Sequence, residues 1–167
     1  MALDNFVSGH YTCLYNAVGV GISNEGFDLH VMLKEELINE SDAYGGSLLD
    51  YVYRGGDATV QYSAMAWKPG SIAPVWPWGA LGQLLSTAAP IGRLASDVAS
   101  AFLMTATANT PAALLANNCT TLTAAKAILA PGYDLSLLFN SKRRNVPCKL
   151  ALLPYVAGST VINFTLA

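Results

Sequence analysis

Apolar and polar residues alternate with period two along most of the chain, the signature of half-buried β-strands. Tyr11, Cys13, Tyr15 and Ala17 alternate with Thr12, Leu14, Asn16 and Val18. Gly19, Gly21 and the run Ser23-Asn24-Glu25-Gly26 then predict a turn. Phe27, Leu29, Val31 and Leu33 follow on one face, with Asp28, His30, Met32 and Lys34 on the other. This is the clearest half-buried strand in the sequence. Positions 35–57 change character: they are polar through Asn39-Glu40-Ser41-Asp42, pass Gly45-Gly46, and end on Arg54-Gly55-Gly56-Asp57. Behind Ser47 a short helical turn is predicted over 48–53. Ala58, Val60, Tyr62 and Ala64 then resume the alternation. Two strands therefore flank a connection of about twenty residues, where hairpin loops usually have about two to five. A loop of that length on a compact barrel is expected to serve something outside its own subunit.

Leu81, Leu84, Leu85 and Ala88 recur at helical spacing, so the best helix is predicted over 78–88, stopped ahead of Pro90. Trp76 and Trp78 read as its anchors on a sheet. Residues 95–101 read as helical, 102–107 as strand, 109–123 as a lightly packed loop and 126–129 as a short strand. Tyr133, Leu135, Leu137 and Phe139 alternate, as do Val146, Cys148, Leu150 and Leu152, about a polar turn at 140–145. They predict a hairpin over 133–155. Ala157-Gly158-Ser159 is a turn, and Ile162, Phe164 and Leu166 form a last strand. About seven strands, one good helix and no internal linker or repeat predict one domain over 1–167. Its class is mainly β: an antiparallel sandwich or barrel with one flanking helix and a long inter-strand loop.

Composition changes the picture. Of 167 residues, 53% are hydrophobic and only 12% charged, against roughly 25% charged in a typical soluble domain. Either the chain lies in a membrane or much of its surface is covered by protein. Its longest uncharged stretches, 69–92 and 98–125, are broken by Pro and Gly or by Thr and Asn, so neither reads as a spanning helix. No basic residue leads an apolar segment at the start, so no secretion signal is expected. A subunit that lives inside an intracellular assembly remains. The net charge of −2 hides an asymmetry: residues 1–60 hold nine acids and two bases, residues 61–167 two acids and seven bases. One reading mixes both signs on a single surface. The other is a molecule with an acidic and a basic face that stacks head to tail.

Little chemistry is encoded. Cys13, Cys119 and Cys148 are odd in number and widely spaced, which predicts small buried hydrophobes and no zinc site. No nucleophile elbow, phosphate loop, dinucleotide turn or HExxH pair occurs. Asp28 and His30 share a strand face and are the one candidate acid–base pair. The expectation is a non-enzyme without metal or cofactor. A soluble ligand-binding β-barrel stays open as an alternative; it would be monomeric with a closed apolar cavity.

Three stretches carry a resemblance. They are Gly26-Phe27-Asp28-Leu29-His30-Val31, the connection from Ile38 through Tyr44-Gly45-Gly46 to Tyr51, and Arg54-Gly55-Gly56-Asp57-Ala58-Thr59-Val60. Together they resemble the N-terminal half of bacteriophage tail tube proteins. Leu137-Leu138-Phe139-Asn140-Ser141-Lys142-Arg143-Arg144-Asn145-Val146-Pro147 is similar to the family's hairpin with a basic turn. The resemblance implies a sandwich or barrel whose copies form hexameric rings around a channel. It also implies that rings stack into a virion tail tube that conducts the genome. Type VI secretion tubes share that fold. The implied partners are other copies of the chain, tail proteins such as the tape measure, the terminator and any sheath, and viral DNA passing without specific binding. No membrane is implied, and assembly would occur in the host bacterial cytoplasm. Glu35, Glu36, Glu40, Asp42, Tyr44, Asp50, Arg54, Lys142, Arg143 and Arg144 are then expected at the inter-ring contact, and Asp28, His30 and Lys34 at the lumen. A tail terminator, neck or tube-initiator ring is the alternative within the same setting.

Overall fold

The computed structural model describes residues 11–39, 48–65, 92–107, 120–134 and 145–167. They form a mainly antiparallel β structure. In chain order the strands are β1 (Tyr11–Tyr15), β2 (Val18–Asn39), β3 (Leu48–Met65), β4 (Ser100–Ala106), β5 (Thr121–Leu129), β6 (Asn145–Leu152), β7 (Tyr155–Ala157), β8 (Thr160–Ile162) and β9 (Thr165–Leu166). One turn of helix, Ala95–Val98, precedes β4 and buries no residue.

The main sheet runs β4-β1-β2-β3-β6-β5-β9, and β4 also pairs with β5. That extra pairing closes six strands into a barrel, with β9 lying along β5. Registered partners trace one level around it: Ser100 faces Ala127, Ala127 faces Leu152, Leu152 faces Ala58, and Ala58 faces Val31. Only Ala127–Leu129 of β5 pair with β6. Away from that level β5 leaves β6, and β9 occupies its edge at Leu122 and Thr123. The Ala167 carbonyl accepts from the Thr120 and Thr121 amides at 2.7 and 2.8 Å and fastens this end.

The alternating residues fill the barrel. Tyr11, Cys13, Tyr15, Val60, Tyr62, Phe102, Met104, Leu122, Leu150 and Leu152 are buried together, with Phe27, Leu29 and Phe164 packed against them. Tyr62 stacks on Phe102 with ring centroids 5.6 Å apart, and Phe27 meets Tyr11 edge to face at 5.2 Å. The Tyr15 hydroxyl donates to the Ala127 carbonyl at 2.9 Å and ties β1 to β5.

The turn expected at 19–26 lies elsewhere. Asn16 and Ala17, both at positive φ (49° and 62°), make a two-residue turn that returns Tyr15 onto Val18. The glycines instead sit within β2, where a bulge separates Ser23 from Phe27 and Gly26 takes φ 79°. The Ser23 hydroxyl bridges that bulge to the Gly26 carbonyl. The helical turn expected over 48–53 is strand, part of β3. Of the hairpin expected over 133–155, Leu135, Leu137, Phe139 and most of the polar turn lie outside the described residues, and the second strand is β6. Tyr133 and Asp134 are irregular, and β6 is an interior strand between β3 and β5. The last strand breaks at Asn163-Phe164 into β8 and β9, where Asn163 Nδ2 donates to the Leu152 carbonyl at 3.1 Å. The helix expected over 78–88, Trp76 and Trp78 lie outside the described residues.

Leu150 is fully buried. Leu150→Ala is expected to lower the unfolding free energy by about 2–5 kcal/mol in denaturant titration. A loss below about 1 kcal/mol would place Leu150 outside the cooperative core.

Candidate functional site

Above the level of Val31 and Ala58, β2 and β3 leave the barrel and pair only with each other. The polar connection expected at 35–57 is therefore the far part of a two-stranded ribbon; only 40–47 fall outside the described residues. From Val31 to Asn39 it extends roughly 26 Å at about 3.3 Å per residue. Every residue from Val31 to Ile38 and from Asp50 to Asp57 is exposed. Val31 and Leu33, expected on a buried face, are 51% and 64% exposed. That burial stops at Leu29, since no strand among the described residues covers the ribbon beyond it.

Register sorts the side chains into two faces. Gly56 faces Leu33 and Gly55 faces Lys34, but Glu35 faces Tyr53, so Arg54 is an extra residue in β3. Gly55 supplies the bulge's left-handed backbone at φ 111°. One face continues the barrel interior: Val31 and Leu33, then Leu37, Tyr51 and Tyr53, with Glu35 as its sole charge. The opposite face carries Asp28, His30, Met32, Lys34, Glu36 and Ile38 of β2, with Asp50, Val52 and Asp57 of β3.

That second face holds a His–Asp hydrogen bond and two ion pairs. His30 Nε2 meets Asp28 Oδ2 at 2.9 Å. Lys34 Nζ meets Asp57 Oδ2 at 2.6 Å. The bulged Arg54 reaches Glu36, its Nε donating to Oε2 at 2.6 Å. All are more than half exposed, so each contributes at most about 1 kcal/mol. Glu36 and Asp57 are thereby paired with cations; Glu35 and Asp50 carry no such pair among the described residues, and the Asp50 carboxylate accepts from the Tyr51 amide at 2.7 Å.

Of the residues expected at the inter-ring contact, Glu35, Glu36, Asp50 and Arg54 lie with the lumen candidates Asp28, His30 and Lys34 on one hairpin of β2 and β3. Asp28, His30 and Lys34 share a face as the alternation indicated, and Glu36 joins them there. Glu40, Asp42, Tyr44, Lys142, Arg143 and Arg144 lie outside the described residues. Charge directed attention to the acids, and the apolar face was missed. Its signal is Tyr51-Val52-Tyr53, three strong strand formers in a row.

A groove of about 490 Å³ opens at the ribbon's base. Val31, Leu33 and Ala58 wall one side, and Val161, Ile162 and Phe164 wall the other. The β7–β8 hairpin stands beside it with Val156 and Val161 exposed.

The buried titratable groups lie inside the barrel. Burial pushes the Cys13 thiol up from 9.0 to about 12 and the Cys148 thiol up to about 11. It also raises the Tyr62 hydroxyl, which lies against Cys148 and has no hydrogen-bond partner of normal geometry. Among the described residues no three His, Cys, Asp or Glu side chains converge as a metal site would require. No helix among them is long and apolar enough to cross a membrane.

The thiols generate a prediction. The unfolded chain loses their protons near pH 9 while the folded chain keeps them, so stability falls as pH rises from about 9 towards 11–12. Denaturant titrations at pH 8 and pH 10 should show the loss. At pH 8, peptide-resolved labelling should reach Cys13 and Cys148 only after denaturation; rapid labelling of the native protein would contradict their burial. The chain matches no protein-family profile, and no curated protein matches its sequence.

Proposed function

We propose that the chain is a structural subunit that assembles with copies of itself into stacked rings of a bacteriophage tail tube, with the β2–β3 ribbon as its assembly arm. The observation that carries this reading is an exposed ribbon with apolar residues on both faces. An isolated two-stranded hairpin is marginal in water. Eight of its large apolar side chains are 43–71% exposed. Together they present on the order of the ~800 Å² that each partner buries in a standard interface. A patch of that size on a lone molecule marks an interaction surface.

Two further features support the reading. The outer edges of β2 from Phe27 to Asn39 and of β3 from Leu48 to Asp57 carry no strand among the described residues. Such edges invite a neighbour's strand, and continued pairing around a rotation axis gives a ring. The chain's two halves also carry opposite charge. In the proposed tube, Asp28, His30 and Lys34 face the channel. Their face binds DNA weakly because its one lysine is paired with Asp57, and held phosphates require free cations. The barrel interior is filled by its own aromatic and aliphatic side chains, which favours assembly over a ligand-binding barrel. The proposed place of work is the virion tail.

Negative-stain microscopy over a concentration series, with light scattering alongside, tests the reading. Rings with a central hole or hollow tubes are expected. Leu33→Asp with Tyr53→Asp, on the face turned away from the channel, should abolish them while changing unfolding free energy by no more than about 0.5 kcal/mol per site, since both side chains are exposed. A wild-type protein that stays monomeric at every concentration would overturn it.

A further inference from the structure

We infer that the groove at the ribbon's base is the socket for the far end of a second copy's ribbon, making each molecule both donor and acceptor. The inference rests on the assembly reading above and names the contact within it.

One apolar stripe runs the length of the ribbon's barrel-side face. Its near part, Val31 and Leu33, is walled by Val161–Thr165 across the groove. Its far part, Leu37, Tyr51 and Tyr53, is 45–71% exposed and has no facing wall among the described residues. The far part cannot fold back into its own groove. Leu37 is four residues beyond Leu33 on the same hydrogen-bonded ladder, which holds it roughly 13 Å further out. Only another molecule brings the two together.

The areas fit. Val31, Leu33 and Val161 of one copy with Leu37, Tyr51 and Tyr53 of the next are all at least 45% exposed. Covering them removes apolar area on the order of 600 Å². With the polar rim that accompanies such a core, the contact reaches the roughly 1,000 Å² that a specific interface needs. Donor and acceptor are different surfaces, so the contact is heterologous and propagates. A two-fold pair exchanging both arms would fill the same patches but stop at a dimer, so growth of the wild type past a dimer distinguishes the two. The barrel needs no rearrangement, because the socket opens beside the β7–β8 hairpin at the barrel's ribbon end.

Two variants at exposed positions test the socket. Val161→Glu charges it without touching the packed core; Leu37→Asp with Tyr51→Asp charges the arm at a cross-strand pair. Unchanged thermal unfolding of both verifies folding. Light scattering and negative-stain microscopy then follow assembly. Each variant alone should stop at the unit that wild type stacks, a monomer or a single ring, with half-assembly shifted by about tenfold or more in concentration. A 1:1 mixture holds one intact arm and one intact socket, so it should form a single junction, double that mass and grow no further. Normal stacking by Val161→Glu would overturn the socket while leaving the ribbon as an arm. A mixture that stays at the single-unit mass would overturn the head-to-tail pairing. Normal stacking by the arm variant would overturn both this inference and the ribbon's role, and a wild type that never assembles would overturn the whole reading.

Discussion

Three residue pairs, Ala127–Leu129 against Leu150–Leu152, convert an open sheet into a barrel. Without them β5 and β6 would be the two sides of an unclosed seam, and the interior faces of six strands would meet water. The seam closes at the ribbon end and opens away from it. There β9 covers the freed edge of β5, and the Ala167 carbonyl takes two amides and the Thr120 hydroxyl. The side chains that fill the interior are not large: Ala58, Ala64, Ala124 and Ala127 sit among Tyr11, Tyr15, Tyr62 and Phe102. Small residues set against aromatic ones let a narrow barrel close without a void.

Closure also determines what the ribbon can be. β1 and β6 cover the outer edges of β2 and β3 only within the barrel. Past Val31 and Ala58 the two strands pair only with each other among the described residues, none of which covers the far part of their interior-facing stripe. The two ion pairs and the His30–Asp28 hydrogen bond link side chains on the opposite face, but at their exposure they cannot hold a hairpin by themselves. The bulge at Arg54 turns a charged side chain onto the polar face to meet Glu36. It also keeps Tyr53 and Tyr51 in phase with Leu33 across the register shift. The local geometry thus preserves an apolar stripe exactly where the monomer has no use for one.

Much of the barrel was legible in the sequence. Tyr11/Cys13/Tyr15, Ala58/Val60/Tyr62/Ala64 and Val146/Cys148/Leu150/Leu152 alternate and are buried as their period requires. Mainly antiparallel β structure followed from that alone. The ribbon was not legible, because alternation reports burial and this element has no buried face in a single chain. Lys34-Glu35-Glu36 and the paired glycines then resembled a loop, and Ser47 resembled a helix cap. The turn was misplaced for a different reason. Glycine clusters mark both turns and bulges, and at 19–26 they serve bulges, while Asn16-Ala17 turns in a conformation alanine rarely adopts. Which acids pair with which bases depends on register, and a one-residue bulge at Arg54 is invisible to spacing arguments.

The low charge content acquires a spatial meaning from this arrangement. Among the described residues, eight of the fourteen exposed large apolar side chains lie on the ribbon, and Val156, Val161 and Leu166 lie in the C-terminal strands. Among the described residues the exposed large apolar side chains are therefore concentrated on the ribbon. A chain that needed only to fold would gain nothing from such protrusions, since trimming them would leave the core intact and remove an aggregation hazard. A chain that must bind its own copies needs two unlike patches that cannot satisfy each other within one molecule. The strand length between Leu33 and Leu37, roughly 13 Å, sets that separation. In the assembly we propose, binding between copies covers the apolar surface that the described residues leave open.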